Sequence, residues 1–377
     1  MNKIKGIYAA SMSLFNKNLS LNIKKTIDHA EKIIDQGCHG VAIFGSTGQA
    51  QLISVSEKIS LLNELSLSRH KDKYLIGTGL NSLSETINLM KVATSLNFND
   101  FLIMPPAYYK YGDKETIEFY SRLVDAVPRA KIILYNFEKL CGYKFSIECV
   151  EELVKKYPKQ IVGVKDSSYN LYEYLKIDNF SVLPGSETKL LKGLELGCAG
   201  VITATCNVTC SLSRKVYDDF INKKEQTTNE MLCKVRNTFE KFNLISGLHS
   251  FMSGENEIYK NVLPPVTLLS EEDRQQLIED LNKLNFKLGS LKAAWTYLIK
   301  FQSMKKIKKK TIKKTTKSKI KKTTKSKAKN TIKSKVENTI KSKAKNTIKS
   351  KAKNTIKSKA KNTIKSKAKN TIKSKAK

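Results

Sequence analysis

The sequence predicts a closed (β/α)8 TIM barrel, and three observations carry that prediction. Eight short apolar runs, at 5–10, 40–45, 74–79, 100–104, 131–135, 161–165, 180–184 and 200–204, alternate with longer amphipathic stretches. That rhythm is the one produced by parallel strands joined through crossover helices. The intervening stretches carry helix start and stop signals. Finally, residues 8–16 (Tyr-Ala-Ala-Ser-Met-Ser-Leu-Phe-Asn) contain no glycine. A doubly wound sheet, the competing arrangement, usually places a glycine-rich phosphate loop after its first strand.

Along the chain, the stretch Met1–Gly6 lacks the apolar core of a signal peptide. Gly37 follows Ile33-Ile34-Asp35-Gln36 as a helix stop, and Gly197 ends Leu190–Leu196 in the same way. Ser54-Val55-Ser56-Glu57 and Ser82-Leu83-Ser84-Glu85 both fit the capping box, in which serine and glutamate each satisfy a backbone amide of the first turn. Residues 212–303 read as further helices, including Glu271–Asn285 and Leu291–Phe301. The expected division is a barrel over 1–225, a helical annex over 226–304 and a low-complexity tail over 305–377.

Charge is concentrated in that tail. Of the formal net charge of +35, residues 305–377 supply +30, from 31 lysines and the single acid Glu337. The rest of the chain is a mildly basic globular protein. Residues 328–375 are six copies of the octad Ala-Lys-Asn-Thr-Ile-Lys-Ser-Lys, varied only at Val336-Glu337. Isoleucine every eight residues drifts about 80° per repeat around a helix, so no apolar stripe forms. With no aromatic residue, the tail cannot bury enough surface to offset the entropy of ordering, and it reads as disordered in isolation. Its lysines suit sequence-blind attraction to nucleic acid, or to an anionic membrane surface, through counterion release. Base stacking and bidentate base readout are excluded for want of aromatics and arginine.

Seven cysteines, an odd number without a C-x-x-C pair, suggest reduced thiols in a cytoplasmic protein. No run of about 18 apolar residues suggests a membrane span.

Three of the apolar runs end in groups suited to carbonyl chemistry. Ile161-Val162-Gly163-Val164 leads into Lys165-Asp166, Ile132-Ile133-Leu134 into Tyr135-Asn136, and Val41–Phe44 into Gly45-Ser46-Thr47-Gly48. Strand ends converge on one pocket in a barrel. An amine flanked by buried aliphatics is costly to keep charged, and a lysine so placed is a nucleophile towards carbonyls. Lys165 is therefore the expected Schiff-base residue for a 2-oxo acid such as pyruvate, with Tyr135 transferring protons. The Gly45–Gly48 turn offers amides and the Ser46 and Thr47 hydroxyls to a carboxylate, and its glycines allow close approach. Cys141 and Cys206 fall near the expected pocket mouth and read as packing thiols.

From Lys5 to Phe301 the chain resembles the class I aldolase superfamily of dihydrodipicolinate synthase and N-acetylneuraminate lyase. The matching motifs, in order, are Gly45-Ser46-Thr47-Gly48, Gly77-Thr78-Gly79, Pro105-Pro106-Ala107-Tyr108-Tyr109, Tyr135-Asn136, Gly163-Val164-Lys165-Asp166 and Gly185-Ser186. The resemblance implies a barrel lyase without metal or other cofactor. In it Lys165, Tyr135, Ser46 and Tyr108 would be catalytic, Tyr108 reaching the site of a neighbouring subunit of a homodimer or homotetramer. Gly45, Thr47, Gly185 and Thr203 would meet the substrate.

The departures bear on substrate choice. Leu140 stands where the synthases carry a carboxylate-gripping arginine, and Lys139 is no bidentate substitute. The sugar-binding stretch of the sialate lyases is not matched by Gly185-Ser186-Glu187-Thr188 or Thr203-Ala204-Thr205, and Gln49 replaces an acid often found after the turn. Metal-dependent aldol chemistry is set aside because His29, His39, His70 and His249 share no ligand spacing. The alternative function is a barrel without catalysis, a scaffold whose basic tail binds nucleic acid. Intact Lys165, Tyr135 and Ser46 favour the enzyme.

Overall fold

The computed structural model describes residues 4–287, which fall within one compact unit. The expected helix at Leu291–Phe301 and the lysine-rich tail lie outside the described residues. Eight parallel strands form the barrel: β1 (Gly6–Ala10), β2 (Gly40–Ile43), β3 (Tyr74–Gly77), β4 (Asp100–Ile103), β5 (Lys131–Asn136), β6 (Ile161–Asp166), β7 (Ser181–Pro184) and β8 (Gly200–Thr203). Hydrogen-bonded neighbours run in chain order from β7 back to β1, and β8 pairs with β1. Strands β7 and β8 meet at the last seam, where the Ala199 amide donates to the Val182 carbonyl at 2.9 Å.

Side chains alternate between two cores. Ala10, Ala42, Leu75, Leu102, Ile133, Leu183 and Ile202 fill the barrel interior. Their neighbours Ala9, Val41, Ile76, Phe101, Ile132 and Val201 pack outward against the helices. Both faces of each strand are thus buried, which is why the strands read as continuous apolar runs rather than alternating ones.

The crossover helices of the first half are α1 (Ile23–Asp35), α2 (Val55–Leu65), α3 (Leu83–Ser95) and α4 (Asp113–Ala126). The second half has the short α5 (Glu138–Cys141), then α6 (Ile147–Lys156), α7 (Leu190–Glu195) and α8 (Cys206–Ile221). Ser54 and Glu57 form the full capping box at α2, whereas Ser82 caps α3 through its own side chain. Gly37 and Gly197 take φ of +121° and +91°, the left-handed region that favours glycine beyond a helix end.

Three annex helices follow: α9 (Asn229–Glu240), α10 (Leu244–Met252) and α11 (Glu271–Lys283). Helix α11 stops short of Asn285, which adopts a left-handed φ of 55°. Phe239, Leu248, Phe251, Met252, Leu277 and Leu281 share a core with Met12, Leu14, Ala204 and Val208 of the barrel. The annex is therefore welded to the barrel by common apolar burial, and it forms one wall of the cavity described next. Among the described residues no helix is long and apolar enough to cross a membrane.

Strand ends depart from the sequence reading where the chain turns into the site. Strand β2 stops at Ile43 because Phe44 takes a φ of 59°. Strand β3 stops at Gly77, where a Cβ would lie 2.4 Å from the Phe44 carbonyl oxygen, so only glycine allows these two chains to pass. Strands β5 and β6 each run one residue further, to the paired Asn136 and Asp166.

Candidate active site

At the C-terminal ends of the strands lies a cavity of about 630 Å³. Lys165, Tyr135, Ser46, Thr47 and Gly185 line it together. Lys165 and Tyr135 are register partners across β5 and β6, and the lysine Nζ sits 3.9 Å from the centre of the phenol ring. Both are nearly inaccessible, at 4 % and 3 % exposure. The Tyr135 hydroxyl is 3.0 Å from Ser46 Oγ. The amine thus packs on the face of the phenol ring, and the phenol hydroxyl bonds the serine, the three groups coming from three different strand ends.

The cluster is held from behind by hydrogen bonds. Asn136, next to Tyr135, donates through Nδ2 to Asp166 Oδ1 at 2.9 Å and to Asn170 Oδ1 at 2.8 Å, and accepts from the Phe145 amide at 3.2 Å. Asp166, next to Lys165, also accepts the amides of Tyr169, Leu171 and Tyr172, at 2.8, 2.9 and 2.9 Å. Burial pushes its carboxyl above the usual range, against those hydrogen bonds, which favour the charged form. The two polar residues that end β5 and β6 thus fix the two residues that face the cavity.

The turn after β2 is one short 3₁₀ turn, Ser46–Gly48. Its own bonds run from the Gly48 amide to Gly45 and from the Gln49 amide to Ser46. Among the described residues the Ser46 and Thr47 amides have no backbone partner outside the turn, as at any helical start. Gly45 sits beneath this turn and does not itself line the cavity. Gly185 does, because a Cβ there would stand 2.2 Å from Ser167 Oγ and close the gap between the ends of β6 and β7.

Thr203, like Gly45, lies outside the cavity lining. It is fully buried, its hydroxyl donating to Glu187 Oε2 at 2.6 Å. Tyr108, expected to serve a neighbouring subunit, is 89 % exposed on the loop after β4, with a φ of 90°, and does not line this chain's own cavity. Cys141 and Cys206 are buried in the helix-facing core, not at the mouth. Burial raises both thiols above their usual range, as expected for packing residues.

Sequence reasoning missed the far wall, which the annex supplies. Arg236 of α9 is buried beside the cavity and bonds through Nη1 to Glu187, Thr203 and Thr205, at 3.2, 3.0 and 3.2 Å. Its Nε and Nη2 each reach Glu240 at 2.8 Å. Burial works against the guanidinium's charge, but Glu187 and Glu240 outweigh it and hold its pKa above the usual arginine value. The Arg236–Glu240 spacing of four on one helix was readable. Its pairing with Glu187, on another element, was not.

The model of the dihydrodipicolinate synthetase family matches residues 3–284. An uncharacterized DapA-like lyase of Chloroflexus aurantiacus is 29% identical over 279 residues, covering 71% of this chain and 93% of that protein. A 4-hydroxy-tetrahydrodipicolinate synthase of Methanoculleus marisnigri is 28% identical over 225 residues, 57% of this chain and 76% of the relative. Among solved structures, the prophage protein YagE of Escherichia coli K12, crystallised with pyruvate, superposes with a TM-score of 0.66 at 22% identity. That superposition covers 75% of this chain and 99% of YagE. With its strand-end lysine and tyrosine side by side and the family's match extending over barrel and annex, the chain belongs to the dihydrodipicolinate synthetase family.

Proposed function

We propose that this protein is a Schiff-base lyase or synthase that makes or breaks an aldol-type C–C bond on pyruvate or a related 2-oxo acid. The observation that carries the reading is the contact of the buried Lys165 amine with Tyr135, itself bonded to Ser46. A scaffold needs none of these groups in one cavity. The pyruvate bound to YagE is of the same substrate class.

The steps follow from the geometry. The substrate carboxylate is held by the Thr47 hydroxyl and the free amides of the turn. Lys165 attacks C2, water leaves, and an imine forms. Tyr135, left as phenolate once it has protonated the departing hydroxyl, takes a C3 proton to give the enamine, whose C3 attacks an aldehyde carbon and makes the new bond. Tyr135 protonates the resulting alkoxide. Water then adds to C2, and the product leaves with the lysine amine restored. Cleavage is the reverse sequence. Ser46 links the Tyr135 hydroxyl to an outside proton source, and the exposed Tyr108 of a second copy is the group suited to that place.

The test is borohydride reduction in the presence of pyruvate, followed by mass mapping. A single adduct on Lys165, absent from Lys165→Met, supports the proposal; no adduct on folded protein refutes it. Tyr135→Phe should lower turnover by about 10²-fold or more, as for loss of a positioned proton donor.

A further inference from the structure

A 2-oxo acid brings an anion into the cavity beside an amine that must be uncharged to react, and the lining offers that anion little positive charge. Lys165 attacks only as the free amine. Arg236 has all three nitrogens engaged by Glu187, Thr203, Thr205 and Glu240. Lys139 is exposed at the edge, and Glu138 and Glu240 add negative charge to the same lining. The groups suited to the carboxylate, the Thr47 hydroxyl and the amides of the turn, are neutral.

A buried positive charge stands behind that turn. Lys58 belongs to the face Lys58, Leu61, Leu62 and Leu65 that α2 buries, and it is 0 % exposed. Its Nζ donates to the Thr78 carbonyl at 2.8 Å and lies 6.0 Å from the centre of the Phe44 ring. Both contacts lead to the turn. Phe44 enters it directly. Gly77 and Gly79, on either side of Thr78, press on its two ends: a Cβ would stand 2.4 Å from the Phe44 carbonyl oxygen and 2.5 Å from the Ala50 Cβ, respectively. The Ala50 amide in turn reaches the Gly45 carbonyl at 3.4 Å. Burial pulls the Lys58 pKa down to about 8, so the group is still an ammonium at pH 7. Among the described residues no carboxylate pairs with it. A buried charge without a partner is costly to keep, and in a medium of low dielectric it acts over a longer range than in water.

We propose that the Lys58 ammonium is the counter-charge against which the substrate carboxylate is held, acting through the Gly45–Gly48 turn as a positioning residue that does not touch the substrate. This rests on the Schiff-base reading and assigns the electrostatics of its first step. The rival is a tether, in which the bond to Thr78 joins α2 to the end of β3 and the charge is immaterial.

Borohydride trapping of the full chain is timed at pH 7 over a range of concentrations of pyruvate and of pyruvamide, its uncharged amide. Wild type should favour pyruvate by about tenfold or more in half-saturating concentration, the scale of one charge interaction inside a protein. Two variants remove the charge: Lys58→Gln keeps a donor for the Thr78 carbonyl, and Lys58→Met keeps only the length. Each should raise the half-saturating pyruvate concentration about tenfold, with the limiting rate and the pyruvamide curve changed less than about twofold. Parallel losses for both ligands, or Lys58→Gln matching wild type while Lys58→Met does not, leave the tether and overturn the counter-charge. So does a wild-type protein that does not distinguish pyruvate from pyruvamide, a result that needs neither variant to fold. A wild type trapped by neither ligand removes the Schiff-base reading, and this inference with it.

Discussion

Tyr135 and Lys165 face each other only because the β5–β6 ladder slips by one residue. Ile132 pairs with Ile161, but Ile133 pairs with Gly163, leaving Val162 unpaired. Val162 and Lys165 both face the barrel interior while Ile161 and Val164 face the helices, a change of parity that regular alternation forbids. The irregularity re-aims the amine into the cavity, a known use of bulges beside sites.

Gly163 sits in that slip, where a Cβ would lie 2.6 Å from the Ser181 carbonyl oxygen. Gly163→Ala should therefore push β6 away from β7 and disturb the lysine's placement. The expected cost is about 1–3 kcal/mol of stability and at least about a tenfold loss in trapping rate, since small misplacements of a reacting group cost that much or more. Urea melts and borohydride trapping measure the two. Wild-type trapping in the variant would show that the slip does not set the geometry.

Gln49, immediately after the carboxylate turn, is held from the annex. Its Nε2 lies 3.3 Å from His249 Nε2, and its Oε1 accepts the Leu263 amide at 2.8 Å. The amide donates, so His249 carries its proton on Nδ1 and gives it to the Tyr259 carbonyl at 2.8 Å. Gln49→Ala should free the turn that bears Ser46 and Thr47. KM for pyruvate is expected to rise several-fold, with a smaller change in kcat, as judged by steady-state kinetics. Equal losses in kcat and kcat/KM would instead place Gln49 in the chemical step.

The same network sets acid stability. Burial lowers both His249 and His29 from 6.5 to about 4. His29 is neutral between Asn207 Oδ1 at 2.8 Å and the Tyr259 hydroxyl at 2.9 Å. With folded values depressed, the unfolded chain binds more protons between about pH 4 and 6.5. Their contribution is complete above 6.5 and is lost as the pH falls through 4. Unfolding free energy should drop across that window, and His29→Gln should reduce the slope by up to about 1.4 kcal/mol per pH unit, one proton's worth. Denaturant melts at pH 7, 6 and 5 measure it, and an unaltered slope in His29→Gln would rule this histidine out.

Strand count, strand order along the chain, the Ser54 and Ser82 caps and the Gly37 and Gly197 helix stops were legible in the sequence, whereas β2, β3, β5 and β6 end one or two residues from the expected bounds. Each legible feature is set by local patterning: apolar runs of strand length, serine and glutamate three apart, glycine past a helix. Lys165, Tyr135, Ser46 and Thr47 were legible for the same reason, since a closed barrel must bring the ends of its strands to one mouth, whereas Gly185 was named only by the family resemblance. What the tertiary structure alone decided lies in pairings between distant segments. The slip that turns Lys165 inward depends on the register between β5 and β6. The withdrawal of Thr203 into a bond with Glu187 depends on how the ends of β7 and β8 meet, and the wall of Arg236 and Glu240 on where the annex packs. A linear pattern records which residues are apolar and which are charged, but a charge finds its partner only after the chain has closed, when burial makes an unpaired one too costly to keep.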